Sequence, residues 1–190
     1  MNRTEIITAL QTAVSKPRFE HCLRVEETAL KLAKHFGVEK TQISPAALLH
    51  DYCREYTHEK LLQVASKFDI VIDSITSSEP ILLHGVLAAK LAKNELGITK
   101  PEVLEAIAFH ITGGADLSRL AQLIFVCDLI EPGRTFSAAT YLHETALTIT
   151  PDQLVLRVYD QTINHVIAQG YLLHPHSLAG RNELIMKGVR

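Results

Sequence analysis

The 190-residue sequence contains no tryptophan, only 9 glycines, 7 prolines and 3 cysteines, and an aromatic share of 6%. Glycine and proline both fall below average usage, and nearly every proline stands where a helix should begin, which is the punctuation of a helical protein. The three cysteines, Cys22, Cys53 and Cys127, form no close-spaced metal pair. An odd number in a chain without an export signal argues against a disulfide framework, so they read as small buried apolar residues. No apolar run approaches the ~20 residues that would span a bilayer, and Met1–Leu10 has no run of signal-peptide length. The expectation is therefore a cytoplasmic protein with no membrane partner. Lys+Arg 19 against Asp+Glu 21 leaves a net charge of −2. There is no basic field to hold nucleic acid, and any anionic ligand must be gripped locally. The scarcity of aromatics leaves Phe19, Tyr52, Phe109 and Phe136 as the candidates to stack on a base.

What is present is an ordinary globular composition, 47% hydrophobic and 21% charged, in a length that suits about one domain. Ser44-Pro45 is expected to open a helix over Ala46–Arg54. Thr99-Lys100-Pro101-Glu102 should open Val103–His110, and Thr150-Pro151-Asp152 should open Gln153–Gln169 before Gly170 stops it. Phe19, Cys22, Leu23, Glu26, Ala29, Leu30, Ala33 and Phe36 recur at three and four residues with one polar break at Glu26, and Leu83–Asn94 largely does the same. These are amphipathic helices ended by Gly37 and Gly97. Asp69–Asp73 alternates but is too short and isolated to imply a sheet, and reads as a loop. With no repeat or linker, the expected architecture is all-α: a single domain over 1–190 built as a bundle of about eight or nine helices, with a closing helix over Ser177–Lys187.

Histidine is the excess to explain, at 10 of 190 residues, roughly twice an average chain's share. Buried imidazoles each have two ring nitrogens to satisfy, so several together need a common partner, and a metal is the simplest one. The apolar run Ala46–Leu49 ends in His50-Asp51. Asp128 lies in Leu120–Ile130, a helix apolar on every side, where an ionised carboxylate is costly unless paired or metal-bound. Arg18–His21, Leu82–Gly85 and Ala108–Gly114 complete the set.

The order His21, His50-Asp51, His84, His110, Asp128 resembles the HD-domain metal-dependent phosphohydrolases, in the branch that binds two metals. The wording of Arg18–Ala33, Ala46–Glu55, Leu82–Ile98, Phe109–Arg134 and the tail His174–Asn182 is similar to the YqeK-type proteins, bacterial HD-domain hydrolases that split diadenosine tetraphosphate into two ADP. The resemblance runs from about Arg18 to Asn182. It departs from the family's habit at Arg54, commonly lysine, and at Ile111, where the usual His-Thr-Thr-Gly reads His110-Ile111-Thr112-Gly113. The resemblance implies an HD fold with a metal-site core over about 18–134 and C-terminal helices over 138–187 packing on it. It implies that His21, His50, Asp51 and Asp128 surround one metal while Asp51, His84 and His110 engage the second, Asp51 bridging.

Imidazole and carboxylate ligands suit two divalent transition metals, iron first, with manganese or zinc as alternatives. Metal-bound hydroxide would then attack an inner phosphate, with Asp51 and Arg54 in the catalytic machinery. Arg18, Arg54, Thr112, Arg134, Arg181 and Asn182 are the candidate phosphate contacts. The ligand set does not read a base, so another HD-domain nucleotide phosphohydrolase or phosphodiesterase and a non-catalytic nucleotide-binding regulator stay open. Nothing in the sequence argues for or against a homodimer.

Overall fold

Most of the local signals become helices, several with a side-chain cap at the start. In α1 (Arg3–Ala13) Asn2 and Glu5 form a capping box, and α2 (Lys16–Phe36) opens on Ser15 and closes at Gly37 in the left-handed conformation. The chain continues through α3 (Lys40–Leu49), α4 (His58–Lys67), the short α5 (Ser74–Ser78), a 3-10 turn (Pro80–Leu83), α6 (His84–Asn94), α7 (Pro101–Phe109) and α8 (Arg119–Ile130). It ends in α9 (Ser137–Thr145), α10 (Pro151–Ala168) and α11 (Pro175–Met186). This computed structural model describes all 190 residues. It has eleven α-helices and no strand, which confirms the all-α, single-domain class and corrects the expected number of eight or nine. The surplus lies in elements such as α5, one turn of Ser and Thr held by the Asp73 carboxylate, whose sequence carries no apolar periodicity. Asp69–Asp73 is a loop, as expected.

The helix expected over Ala46–Arg54 is displaced. It begins at Lys40, so Pro45 sits inside it, and ends at Leu49, after which His50–Glu55 runs as turns. Pro45 forfeits one intrahelical bond, and burial of Ile43, Ala46, Ala47, Leu48 and Leu49 offsets that loss.

Helix α8 lies at the centre, buried around most of its circumference as its sequence requires. It packs on α2, α3, α7 and α10, while α6 lies along α7 and α11 along α10. One continuous apolar cluster joins them, and all three cysteines are buried within it as free thiols. The polar break on α2 has a partner: Glu26 is buried and takes both hydrogen bonds of a bidentate pair from Arg3, at 2.8 and 2.7 Å, clamping α1 to α2. No helix is long and apolar enough to cross a membrane.

Candidate metal centre

Five helices deliver the six residues to one place. His21 comes from the second turn of α2, His50 caps the C-terminus of α3 with Asp51 following it, His84 is the first residue of α6, His110 caps α7, and Asp128 lies in the last turn of α8. The four imidazoles form a row, His21–His50–His110–His84, with successive ring centroids 5.3, 4.7 and 4.9 Å apart. Asp51 divides the row. Its Oδ2 lies 3.6 Å from His21 Nε2 and 3.5 Å from His50 Nε2, while its Oδ1 lies 3.1 Å from His84 Nε2 and 3.5 Å from His110 Nε2. Asp128 Oδ1 closes the first half, 3.0 Å from His21 Nε2 and 3.9 Å from His50 Nε2.

The outer face of each ring shows which nitrogen is free. His50, His84 and His110 place Nδ1 against the backbone carbonyls of Ala47, Ile81 and Ile107, each three residues earlier. A carbonyl only accepts, so those Nδ1 atoms carry the proton, and in a neutral ring Nε2 is then a bare lone pair. His21 does the same with a carboxylate, Glu131 Oε1, at 3.0 Å. Four lone pairs therefore point at one another and at two carboxylates. His21 Nε2 and His50 Nε2 are buried without any hydrogen-bond partner, and His84 Nε2 faces His110 Nε2 at 3.0 Å. Burial, only partly countered by Asp51, lowers the pKa of His84 and keeps that ring neutral. Such a set is unsatisfied by protein alone and fits a cation. The groups His21/His50/Asp51, His50/His110/Asp128 and Asp51/His84/His110 each bring three donor atoms within 4.8 Å.

The carboxylates are held ready. Burial favours the protonated acid of Asp51, but with a proton rather than a cation on the facing Nε2 atoms the charge of His50 and hydrogen bonds from His110, His50 and His84 outweigh it and hold the carboxyl well below its ordinary range. Asp128 is also lowered, burial being overcome by the His21 ring 3.0 Å away and by the charges of protonated His50 and of Arg134. Burial works against the charge of His21 too, and the carboxylates of Asp128 and Glu131, each 3.0 Å from one of its ring nitrogens, reverse that and raise its pKa. Glu131, which sequence reasoning missed, is buried and accepts from His21, Arg24 and the Gly133 amide. Those donors outweigh its burial and lower its carboxyl to about 2. Its position three residues after Asp128, on the same side of the chain, was the available signal.

The HD domain profile matches residues 18–133 of this chain. The chain belongs to the HD-domain family. Among curated HD-domain relatives, the symmetrical bis(5'-nucleosyl)-tetraphosphatase of Staphylococcus aureus is 36% identical over 68% of this chain and 66% of its own length. Proteins of the same name from Halalkalibacterium halodurans and Bacillus subtilis are 28% and 26% identical and match end to end, at 98% and 97% of this chain and 99% and 98% of theirs. A solved structure from Clostridium acetobutylicum, described as a predicted HD superfamily hydrolase involved in NAD metabolism, superposes with a TM-score of 0.92 at 31% identity over 98% of both chains. The YqeK-type resemblance read from the sequence holds at this level.

The remaining candidates of this HD domain divide. Arg18 Nη1 binds Asp51 Oδ2 at 2.7 Å, and Arg134 binds Asp128 through Oδ1 at 2.8 Å and the backbone carbonyl at 3.1 Å. The turn Glu131–Arg134 thus aims Arg134 back at the cluster. Thr112 is buried, but its hydroxyl donates to the Gly113 carbonyl and its own carbonyl accepts from Ser177. Arg54 is half-exposed with no side-chain hydrogen bond, Arg181 pairs with Asp160, and Asn182 is exposed. None of these last three makes a hydrogen bond or ion pair with the six clustered residues. A cavity of about 630 Å³ adjoins the HD centre, walled by His110, Asp128 and Arg134 on one side and by residues of α9 and α10 on the other.

Proposed function

We propose that the chain is a symmetrical dinucleoside tetraphosphatase that hydrolyses diadenosine tetraphosphate to two ADP, in the cytoplasm, where three free buried thiols are at home. The observation that carries the reading is the convergence of four imidazole lone pairs on a divided carboxylate beside a nucleotide-sized cavity. The end-to-end likeness to proteins of that name supports the substrate.

His21, His50, Asp51 and Asp128 would hold one divalent ion and Asp51, His84 and His110 a second; imidazole and carboxylate donors suit iron, manganese and zinc alike, and iron is the ion we propose first. Bound there, such ions supply Lewis acidity, which acidifies water and neutralises phosphate charge. The chain's own residues do the positioning. Asp51 keeps the two halves at a fixed separation, and Glu131 and the three backbone carbonyls lock each imidazole with Nε2 inward. Arg18 and Arg134 stand at the rim, where a guanidinium fork can take phosphate oxygens. Water adds to an inner phosphorus, the central P–O–P bridge breaks, and the departing ADP takes the bridging oxygen. We take residues 18–134 as the core carrying this site and 138–187 as the layer that covers it and completes the cavity.

The test is product analysis with metal-replete protein. Diadenosine tetraphosphate should give ADP alone, heavy-oxygen water should label a terminal phosphate of ADP, and a chelator should stop turnover. AMP and ATP as first products would refute the symmetrical cut.

A further inference from the structure

We infer that α11, the last helix of the chain, positions His110 by clasping the loop that follows it through Ser177, Gly180 and Glu183, so that docking of α11 is coupled to metal occupancy of the Asp51/His84/His110 half. The inference rests on the two-ion reading above. After His110 the chain runs through a loop, 111–118, with left-handed backbone at Gly113 (φ 63°) and Asp116 (φ 55°), which interrupts regular backbone pairing. The inward polar groups of such a segment need partners from elsewhere. Ser177 Oγ donates to the Thr112 carbonyl at 2.8 Å, and Glu183 Oε2 accepts from the Asp116 amide at 2.8 Å. Between them the Tyr159 hydroxyl of α10 accepts from the Gly114 amide at 2.9 Å and donates to the Gly114 carbonyl at 3.0 Å.

The clasp is built on one side of α11. Ser177, Gly180 and Glu183 recur every three residues, and Ser177 and Gly180 are buried. Gly180 sets how closely the helix approaches, because a Cβ there would meet the Tyr159 hydroxyl and stand 2.5 Å from the Gly114 carbonyl. The loop is tied in turn to the ligand. The Gly113 amide donates to the Phe109 carbonyl at 2.8 Å, bracketing His110, and the His176 ring at the start of α11 lies 5.6 Å from the Phe109 ring. The other half of the cluster has no such link: no residue of α11 makes a hydrogen bond or ion pair with His21, His50, Asp51 or Asp128. A shift of α11 is therefore felt through His110, in the half with three protein donors, and not in the half with four. Coupling between two sites is reciprocal. What α11 does for the ion, the ion does for α11.

The experiment titrates Co²⁺ onto metal-stripped full-length protein, followed by the visible absorption of the ion, with hydrogen–deuterium exchange measured before and after loading. Wild type should take up two ions, and His84→Ala marks which step belongs to the His84–His110 half. Ser177→Ala should weaken that step about tenfold, the low end of what partners behind a metal-bound histidine are worth, and leave the other step near wild type. Glu183→Ala, which keeps the Ser177 bond, should weaken the same step by a smaller factor, and Glu183→Gln should restore it, since the amide oxygen still accepts from Asp116. Arg3→Gln loosens the distant α1–α2 clamp and should lower the melting temperature without moving either step. Loading should slow exchange in residues 112–116 and in α11 of wild type, and not of His84→Ala. Ser177→Ala and Glu183→Ala proteins that bind both ions as wild type does overturn the inference, as does an Arg3→Gln protein that loses the same step to the same degree. The two readings fail separately. Ion uptake that depends on Ser177 without cleavage of the dinucleotide sinks the proposed reaction and leaves the clasp. Cleavage to ADP with uptake indifferent to Ser177 and Glu183 does the reverse.

Discussion

Glu131→Gln removes one charge and almost no volume from a side chain that touches no proposed metal ligand except His21. The carboxylate now takes three donors: His21 Nδ1 at 3.0 Å, Arg24 Nε at 2.5 Å and the Gly133 amide at 2.5 Å. An amide has one accepting oxygen. If that oxygen stays with Arg24 and Gly133, the amide's NH2 faces His21 Nδ1, and the ring must move its proton to Nε2, the atom meant for the metal. If it stays with His21, the guanidinium of Arg24 is left short of a partner, though Arg24 is 36% exposed and can turn to water. Partners of this kind behind a metal-bound histidine are worth about 10–100-fold in metal affinity. The accompanying stability loss is that of a charged hydrogen bond, about 1.5–3 kcal/mol, or about 3–12 °C in melting temperature for a chain of this size. Metal titration of stripped protein and thermal melting on the same preparations measure both. Arg24→Gln is the companion variant, expected to lower the melting temperature while leaving metal affinity near wild type. A Glu131→Gln protein that melts lower yet binds metal as wild type does would refute the tautomer argument.

Three further predictions follow from the same geometry. Asp51→Ala should lose metal from both halves of the cluster and His84→Ala mainly from one, read by elemental analysis of protein purified without chelator; equal loss in the two variants would contradict a bridging Asp51. Gly85→Ala places a methyl 2.7 Å from the Ala108 carbonyl and 3.1 Å from the Ile107 carbonyl that anchors His110. It should cost about 1–3 kcal/mol by overpacking and weaken metal binding at the His84–His110 end, measured by denaturation and metal titration. Tyr159→Phe deprives the Gly114 amide and carbonyl of the hydroxyl that serves both, costing about 1–3 kcal/mol. In wild type, burial raises the phenol to about 12. The folded state therefore favours the neutral ring, so this contribution is intact below pH 10, where the unfolded tyrosine begins to ionise, and is lost as pH rises from 10 to 12. Urea unfolding across that range should fall more steeply for wild type than for Tyr159→Phe.

Legibility in the sequence followed the range of each interaction. The helical class, the buried cysteines and the amphipathic α2 depend on neighbours three or four residues apart, and all were readable. The six clustered residues were readable because their identity and order match a family pattern, although no local rule places His84 beside His110. Glu26 read as an isolated polar break because its partner, Arg3, is a residue of another helix. Asp128 stands in an apolar helix with its cation out of local view, since Arg134 lies beyond the helix end and returns to it through Pro132-Gly133. The position of Pro45 inside α3 was hidden because proline is a strong start signal, and only the burial of the residues around it decides otherwise. Gly85 looks unremarkable until α6 lies against α7 closely enough that a single methyl would strike a carbonyl.

Three helices, α3, α7 and α8, end at the cluster, with His50, His110 and Glu131 as their final caps. Each C-terminus brings about half a negative charge to a place that already holds Asp51, Asp128 and Glu131, facing Arg18, Arg24 and Arg134. Three carboxylates and three guanidiniums cancel, and the helix ends leave the balance negative. On the proposed function, a bridge of four phosphates, about four negative charges at neutral pH, would be repelled by such a site, and two divalent ions would bring four positive charges that reverse the field. Metal and nucleotide affinity are consequently linked in both directions. Nucleotide should bind weakly to stripped protein, and bound nucleotide should slow the loss of metal to a chelator. The expected order of assembly is therefore cations before polyphosphate.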